Sequence, residues 1–371
     1  MKLFIDAFNI KVGGGLTHLK ELLANAQPEV YGFSQVKVFA PSTTLQQLPE
    51  MPWLVKEYVL ALNKSCLRVW FWRTIQLRRI VKKSRGILFI PGSGSSSVTF
   101  VTMCQNLLPV QKAEMNRYKG TNVWWRLVLL RWLHRYSYQK AAGVIFLNEY
   151  CQVAVERDMN VTPKFSVIIP HGINYRFMRK KASYAFRDAF KLVYVSIIDE
   201  YKHQWKVAEA VYQLNKEGYV VELYLVGSEY SRSRKRLNMI QKANPNMNQV
   251  KLIGKVEYDS LKDIYMEMDA AIYASTCETF GMTLLEAMAS SLPIACSYHS
   301  SMPEMLQDAG LYFDPLDTQS IRKVILTLIQ DEILRKELGE KAYSYALKYK
   351  WEETARQTFQ VLQKIANKCV E

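Results

Sequence analysis

The sequence lacks the marks of several large protein classes, and each absence narrows the possibilities. Its six cysteines include no C-x-x-C pair, which argues against a disulfide scaffold and favours a reducing compartment. No apolar run approaches the roughly 20 residues that span a bilayer. Residues 1–6 meet an acid at once, unlike a secretory signal peptide. At 49% hydrophobic residues the chain is too apolar for global disorder, so we expect a cytoplasmic globular protein with more than one domain.

Acidic residues are almost missing between Met51 and Lys140. This stretch holds 16 lysines and arginines against only Glu57 and Glu114, a net charge of +14, while the whole chain carries +15. The rest of the chain is therefore nearly neutral. The basic excess predicts one surface with an anionic partner.

Short apolar runs alternate with helical patterns along the chain, which indicates an α/β protein with two doubly wound domains. Strands are predicted near residues 2–6, 35–39, 87–90, 98–103, 143–147, 165–169, 192–196, 220–227, 250–253, 269–274 and 292–296. Helices of the first half are predicted near residues 17–26, 53–83, 122–140 and 149–157.

The segment from Cys277 to Cys296 carries the most chemistry. Glu278 and Glu286 are separated by seven residues, and between them Gly281–Thr283 opens a helix. The first N–H groups of that helix have no intrahelical partner and carry the positive end of its dipole, which suits a phosphate. A carboxylate one turn into the helix can accept two hydrogen bonds from a diol. The spacing therefore predicts a site for a phosphate that carries a sugar, with two solvated glutamates as the alternative.

The same segment resembles the signature of the retaining glycosyltransferases of family 4, which have the GT-B fold. The pattern E-x-F-G-x-x-x-x-E-A-M-A-x-x-x-P-(V/I) is matched by Glu278, Phe280, Gly281, Glu286, Ala287, Met288, Ala289, Pro293 and Ile294. The resemblance implies two Rossmann-like domains that face a central cleft. We expect an acceptor-side domain over 1–172, a donor-binding domain over 173–350, and a terminal helix over 351–371 that crosses back to the first domain.

Three motifs of the first half also resemble the family. Gly14 and Gly15 follow the first strand, where the family has a glycine loop that faces the donor phosphates. Gln105 and Asn106 occupy an acceptor-side motif that often has His in place of Gln105, which puts the role of that position in doubt. His171 lies in a Pro-His-Gly turn and is expected near the interdomain cleft.

One motif of the second half departs from the family pattern G-R-L-x-x-x-K. Lys202 falls on the lysine, but Ser196 replaces the glycine and Ile197 replaces the arginine. The resemblance implies that an arginine and a lysine neutralise the donor diphosphate, so one cation is missing here. Arg232, Arg234 or a residue of the first domain is a candidate to replace it.

By this resemblance the chain moves a hexose or hexosamine from a nucleotide diphosphate sugar to a hydroxyl, with retention at the anomeric carbon. Glu278 and Lys202 are the predicted catalytic residues, the first orienting the donor sugar and the second stabilising the leaving diphosphate. Glu286 is expected to hold the ribose hydroxyls. The other predicted donor-binding residues are Gly14, Gly15, Ser196, Val256, Phe280, Gly281, Met282 and Thr283. No D-x-D motif occurs, so neither a metal nor another cofactor is implied.

Two basic stretches, Trp53–Arg85 and Asn122–Lys140, also contain tryptophans and are predicted to be helical. In the second, Arg131 and Arg135 are one turn apart and are expected to form a basic stripe beside an aromatic face. An anionic membrane surface suits such helices, and packing on their own domain is the alternative. Basic and aromatic residues together can also bind nucleic acid, but we do not expect that partner here. The favoured acceptor is a lipid-linked glycan at the inner face of the cell membrane, as in the assembly of a lipopolysaccharide or capsule.

Other functions stay open. A nucleotide-sugar epimerase can have the same fold, and a phosphorylase or a sucrose- or trehalose-type synthase would use a soluble sugar acceptor. A non-catalytic subunit that binds a sugar nucleotide or a membrane is suggested by Ile197 and Gln105, where the family's residues are replaced.

Overall fold

The structure is a computed structural model that describes residues 1–59, 66–94, 96–244 and 248–368. It divides into two compact units. Unit 1 comprises Met1–Met115, Gly120–Gly172 and Lys350–Glu371, and unit 2 comprises Asn116–Lys119 and Ile173–Tyr349. Apart from the short excursion at Asn116–Lys119, the chain leaves unit 1 after Gly172 and returns to it at Lys350.

Unit 1 is built on a parallel sheet. The strands are β1 (Lys2–Asp6), β2 (Gln35–Ala40), β3 (Leu54–Tyr58), β4 (Ile87–Ile90), β5 (Phe100–Met103), β6 (Gly143–Phe146) and β7 (Ser166–Ile168). Within the described residues their order is β3-β2-β1-β4-β5-β6-β7, and all neighbours are parallel. β4, β5 and β6 are buried along their whole length, as expected for strands covered on both faces.

The helices of unit 1 connect these strands. They are α1 (Gly14–Ala24), α2 (Ser42–Leu45), α3 (Cys66–Phe71), which continues through the π-helical turn Trp72–Leu77 into α4 (Arg78–Lys83), then α5 (Lys112–Asn116), α6 (Asn122–Lys140) and α7 (Glu149–Met159). The predicted helix at 122–140 is confirmed at both ends. Within the described ranges, every helix falls short of the length and apolar character needed to cross a bilayer.

The prediction of a helix over 53–83 is wrong at its start. Residues 54–58 form the edge strand β3, which pairs with β2 and is tied to it by an ion pair between Lys37 and Glu57 at 2.8 Å. The local pattern missed this strand because its pairing partner lies about 20 residues earlier in the chain. Residues 60–65 and the side chain of Trp70, which belong to the predicted basic surface, lie outside the described residues.

Unit 2 has a second parallel sheet. Its strands are β8 (Phe190–Val195), β9 (Val221–Val226), β10 (Val250–Gly254), β11 (Ala270–Tyr273), β12 (Ile294–Ser297) and β13 (Gly310–Phe313). Their order among the described residues is β10-β9-β8-β11-β12-β13. The direction of the strand order reverses between β8 and β11, and open α/β sheets bind ligands beyond the carboxyl ends of the strands at such a point.

The helices of unit 2 alternate with its strands. They are α8 (Gln204–Lys216), α9 (Ser231–Ala243), α10 (Leu261–Glu267), α11 (Met282–Ala289), α12 (Met302–Leu306), α13 (Thr318–Gln330) and α14 (Glu332–Ala346). The last helix, α15 (Trp351–Asn367), belongs to unit 1, where Phe359 packs edge-on against Phe33 with ring centroids 6.1 Å apart.

Candidate functional site

Lys202 and Glu278 meet at the switch point of the unit 2 sheet. Lys202 ends a 3-10 turn (Glu200–Lys202) that follows β8, and Glu278 lies in the loop that follows β11. Their side chains form an ion pair and are only 8% and 17% exposed. The structure thus brings together the two residues predicted to be catalytic, and in this state each one neutralises the other.

Hydrogen bonds from tyrosine and threonine hold these two loops in register. The buried hydroxyl of Tyr194 donates to the carbonyl of Lys202 at 2.7 Å and accepts from the N–H of Ala274 at 3.1 Å. The N–H of Thr276 donates to the carbonyl of Tyr201 at 2.9 Å. Both loops are therefore fixed by their backbones, so Lys202 and Glu278 are positioned before any ligand arrives.

The start of α11 is shaped as the sequence predicts for an anion site. Gly281 precedes the helix with φ +87°, a left-handed conformation that glycine adopts without strain. No side chain of the described residues caps the first turn, so the N–H groups of Met282 and Thr283 stay open to a ligand. The ring of Phe280 is buried against Tyr349 with centroids 5.9 Å apart.

Glu286 is enclosed by two tyrosines. Tyr258 donates a hydrogen bond to one carboxylate oxygen at 2.9 Å and Tyr265 to the other at 3.4 Å, and the residue is 1% exposed. Burial raises the pKa of Glu286 to about 8, against the lowering effect of the two hydroxyls. Tyr258 is half-buried and packs edge-on against Phe177, with ring centroids 5.4 Å apart.

The loop after β8 carries Ser196 and Ile197, which stand where the family pattern has a glycine and an arginine. The hydroxyl of Ser196 accepts a hydrogen bond from Gln204 at 2.8 Å and donates to the carbonyl of Ile197 at 3.1 Å, so it is committed locally. Ile197 is 45% exposed and contributes no charge. Arg232 lies 3.8 Å from the buried Glu200, and Arg234 pairs with Glu229 at 3.4 Å.

Further predicted site residues are Val256 in unit 2 and Gly14, Gly15, Gln105 and Asn106 in unit 1. Val256 follows β10 and is half-buried. The prediction of a glycine loop needs correction, because α1 begins at Gly14, so Gly14 and Gly15 form its first turn. A Cβ on Gly15 would lie 3.1 Å from Oε1 of Gln105, so these two predicted positions are neighbours. Asn106 is exposed and its side chain accepts a hydrogen bond from the N–H of Leu108 at 3.0 Å.

His171 lies in a buried aromatic cluster of unit 1. Its Nδ1 is 3.0 Å from Nδ1 of His18, and the indole of Trp351 packs on both rings. Burial lowers the pKa of His18 to about 3, and burial together with the neighbouring His18 lowers the pKa of His171. Both imidazoles are therefore neutral at physiological pH.

The helix α6 presents apolar side chains to solvent. Its outer face carries Trp125, Val128, Leu129, Trp132, Leu133 and Tyr136, of which Trp125 is 68% and Trp132 62% exposed. Arg126, Arg135 and Lys140 flank this face and are exposed. The predicted basic stripe is wrong in one residue: the guanidinium of Arg131 turns inward and donates to the backbone carbonyls of Pro109, Val110 and Asp158.

Sequence reasoning missed the tyrosines around the site. Tyr194, Tyr258 and Tyr265 lie 80, 28 and 21 residues away from the groups that they hold. No motif contains them, and an apolar run with a tyrosine indicates only a buried element. Across the described parts of the chain, no three side chains of His, Cys, Asp and Glu are grouped as a metal site requires.

Solved structures share this architecture over almost the whole chain. Sucrose-phosphate synthase from Thermosynechococcus elongatus superposes with a TM-score of 0.75 at 16% identity, covering 98% of this chain and 99% of that one. HepE from Anabaena in complex with UDP-glucose gives a TM-score of 0.72 at 16% identity, covering 98% and 100%. At 16% sequence identity, the similarity to these solved structures shows the fold alone. This similarity and the two parallel sheets together define the GT-B fold.

The family comparison concerns the second half of the chain. Residues 178–345 match the family model described as "Glycosyl transferases group 1". The O-antigen chain mannosyltransferase B of Escherichia coli is 34% identical over 109 residues, which cover 29% of this chain and 29% of that relative. The matched part is thus less than two thirds of that relative's length. Over residues 178–345, the chain is thus similar to the glycosyl transferases group 1 family.

Proposed function

We propose that this protein is a retaining, metal-independent hexosyltransferase that uses a nucleotide diphosphate sugar. The observation that carries the proposal is the arrangement in unit 2: Lys202, Glu278, the open start of α11 and Glu286 line the switch point of one sheet. A buried cation and unpaired N–H groups suit a diphosphate, and a carboxylate further along the helix suits a ribose diol. The group 1 match over 178–345 contains all of these residues.

Charge stabilisation is the main chemistry that these groups supply. As the glycosidic bond to the diphosphate breaks, negative charge grows on the leaving phosphate oxygen. Lys202 and the N–H groups of Met282 and Thr283 are fixed before the reaction, so they stabilise that charge without reorganisation. Glu278, once released from Lys202 by the incoming phosphate, accepts hydrogen bonds from the sugar hydroxyls. The leaving phosphate then takes the proton of the acceptor hydroxyl on the same face, which retains the anomeric configuration.

A thermal-shift panel tests the donor site. Wild type, Glu286→Ala and the exposed control Glu337→Ala are heated with UDP, GDP, ADP and their common sugars. One nucleotide at about 100 times its Kd should stabilise wild type by roughly 2.7 kcal/mol, and should raise its melting temperature by about 5 °C or more. We expect the same rise for Glu337→Ala and none for Glu286→Ala. No rise in wild type with any nucleotide would refute the proposed function.

We also propose that the acceptor is lipid-linked and that the protein docks on the cytoplasmic face of an anionic membrane through α6. Exposed tryptophans beside arginines are the pattern of an interfacial helix, because the indole rings enter the headgroup region while the cations meet anionic lipids. The exposed fractions of Trp125 and Trp132 support this docking, since a helix packed on its own domain would bury its apolar face. The O-antigen relative makes a lipid-linked polysaccharide precursor the acceptor to test first.

Liposome flotation tests the membrane surface. Wild type should float with phosphatidylglycerol vesicles, less so in 0.5 M salt and less with phosphatidylcholine, since screening weakens the attraction. The double variant Trp125→Ser/Trp132→Ser should stay at the bottom. Tyr175→Ser, which removes an 85% exposed aromatic ring from unit 2, is the matched control and should float as wild type does. Equal flotation of the double variant would disprove docking through α6.

A further inference from the structure

A cavity of about 480 Å3 opens in unit 1 beside the starts of β4 and β5. Its apolar walls are formed by Val81, Ile87, Val98 and Ala366, and its two charged residues are Lys82 and Arg85. Small-molecule pockets typically have volumes of roughly 300–1,000 Å3, so this cavity is large enough for an organic ligand. Its volume is far larger than that of an inorganic ion.

The cavity is separate from the positions predicted to face the donor or the acceptor. The turn with Gly14 and Gly15 follows β1, and Gln105 follows β5, so these residues lie at the carboxyl edge of the parallel sheet. Gly86 precedes β4 and Thr99 precedes β5, which places the cavity at the amino edge. The sheet itself lies between the two regions.

The charged residues of the described lining are both cations. Within the part of the chain that the structure describes, no aspartate or glutamate lines the cavity, and Lys82 and Arg85 are both exposed. Among the described residues, neither cation takes part in an ion pair. Two unpaired cations beside an apolar wall favour an anion that carries a carbon skeleton.

Arg85 occupies a backbone position that favours glycine. It follows α4 with φ +46°, and the N–H groups of Arg85 and Gly86 donate to the carbonyls of Lys82 and Val81 at 3.1 and 3.2 Å. This is the usual helix-ending turn whose left-handed residue is most often glycine. An arginine there is strained. The strain brings a cation to the cavity, and strained residues are often found where function requires them.

We propose that this cavity binds a phosphate ester. Lys82 and Arg85 hold the phosphate, the exposed hydroxyl of Ser97 donates to it, and the apolar walls receive the carbon part of the ester. Such an ester has two sources: a free phosphorylated polyol, or the headgroup of an anionic phospholipid. The site is independent of the donor site in unit 2.

Calorimetry on the full chain tests the site and distinguishes the two sources. The probes are glycerol 3-phosphate, dihexanoyl phosphatidylglycerol below its micelle concentration, and dihexanoyl phosphatidylcholine, in which choline neutralises the phosphate. Binding of glycerol 3-phosphate identifies a free ester, and binding of phosphatidylglycerol alone identifies a lipid headgroup. Both results support the site. Phosphatidylcholine should bind at least tenfold more weakly than phosphatidylglycerol.

The variants Arg85→Gly and Lys82→Gln test the two cations, with Lys83→Gln as the control on the same helix turn but outside the lining. Arg85→Gly should weaken binding at least tenfold, yet should raise the melting temperature because it removes the left-handed arginine. If Arg85→Gly binds more weakly while its melting temperature rises, misfolding cannot be the cause of the weaker binding. The proposal is overturned if no probe binds wild type, or if Arg85→Gly and Lys82→Gln bind as tightly as Lys83→Gln.

Discussion

At the scale of single residues, folding strongly changes the ionisation of Glu286. Its carboxyl is enclosed by Tyr258 and Tyr265, and burial raises its pKa from 4.5 to about 8. The folded protein therefore binds a proton at neutral pH that the unfolded chain releases. Charge on this carboxyl opposes folding, and a bound diol would offset part of that cost by donating two hydrogen bonds.

The contribution of Glu286 to the free energy of unfolding should thus fall as pH rises from about 4.5 to about 8, whereas the buried neutral histidines contribute in the opposite direction and are common to wild type and variant. The penalty is absent below the unfolded pKa and complete above the folded one, and at about 1.4 kcal/mol per pH unit it is on the order of 4 kcal/mol. Urea unfolding at pH 5 and pH 8.5 measures it. Glu286→Gln, which is neutral at both pH values, should lose less stability than wild type by about that amount. An equal loss in both proteins would contradict the raised pKa.

The pair of Lys202 and Glu278 should show strong coupling in a double-mutant cycle. Both side chains are mostly buried, so removing one leaves an uncompensated charge, which typically costs about 3–5 kcal/mol. Lys202→Met and Glu278→Gln should each destabilise the protein, while the double variant should recover most of the loss. Urea unfolding of the four proteins gives the coupling energy. Additive losses would show that the two groups do not interact in solution.

The motif residues of the site could be named from the sequence because they occupy fixed spacings. Gly281 immediately precedes α11 and Glu286 lies one turn into that helix, as the spacing predicts. The hydroxyls that enclose Glu286 could not be named, since Tyr258 and Tyr265 reach it only through tertiary packing. The hydrogen bond between Gln204 and Ser196 likewise could not be predicted from the sequence, because the folded geometry decides which group a hydroxyl contacts.

At the scale of elements, α6 shows how a helix can be predicted correctly while the direction of one side chain is not. The sequence places Arg131 beside Arg135 on a basic stripe, yet Arg131 turns inward to three backbone carbonyls. Those carbonyls lie in loops that no helical periodicity describes. The edge strand β3 was missed for the same reason, since its stability comes from pairing with β2.

Arg131 should therefore be a structural residue and Arg135 a surface residue. Arg131→Ala leaves the carbonyls of Pro109, Val110 and Asp158 without their charged donor. Because hydrogen bonds from charged groups contribute about 1.5–3 kcal/mol, we expect a loss of roughly 2–4 kcal/mol. Arg135→Ala, the control one turn away, should change stability by less than about 0.5 kcal/mol. Urea unfolding distinguishes them, and equal effects would mean that Arg131 also faces solvent.

At the scale of the whole molecule, two of the points where the chain passes between its units, Gly172–Ile173 and Tyr349–Lys350, lie side by side. The chain leaves unit 1 after Gly172 and re-enters at Lys350, next to Trp351, which starts α15. On the unit 2 side, the N–H of Ile173 donates to the carbonyl of Tyr349 at 3.1 Å. The helix α15 is thus anchored at the point where the chain crosses, and His18 and His171 pack on Trp351 there.

Gly172 should be indispensable at this crossing for reasons of space. A Cβ added there would lie 2.2 Å from the backbone nitrogen of Trp351 and 2.6 Å from the carbonyl carbon of Lys350, and backbone atoms cannot turn aside as a side chain can. Gly172→Ala should cost about 3 kcal/mol or more, because α15 must shift away from the histidine cluster. Gly120→Ala is the control: its φ is +78° with no atom within 4 Å of the added Cβ, so only the conformational cost of about 1 kcal/mol remains. Urea unfolding compares the two. If Gly172→Ala cost no more than Gly120→Ala, the crossing would be looser than its backbone contacts indicate.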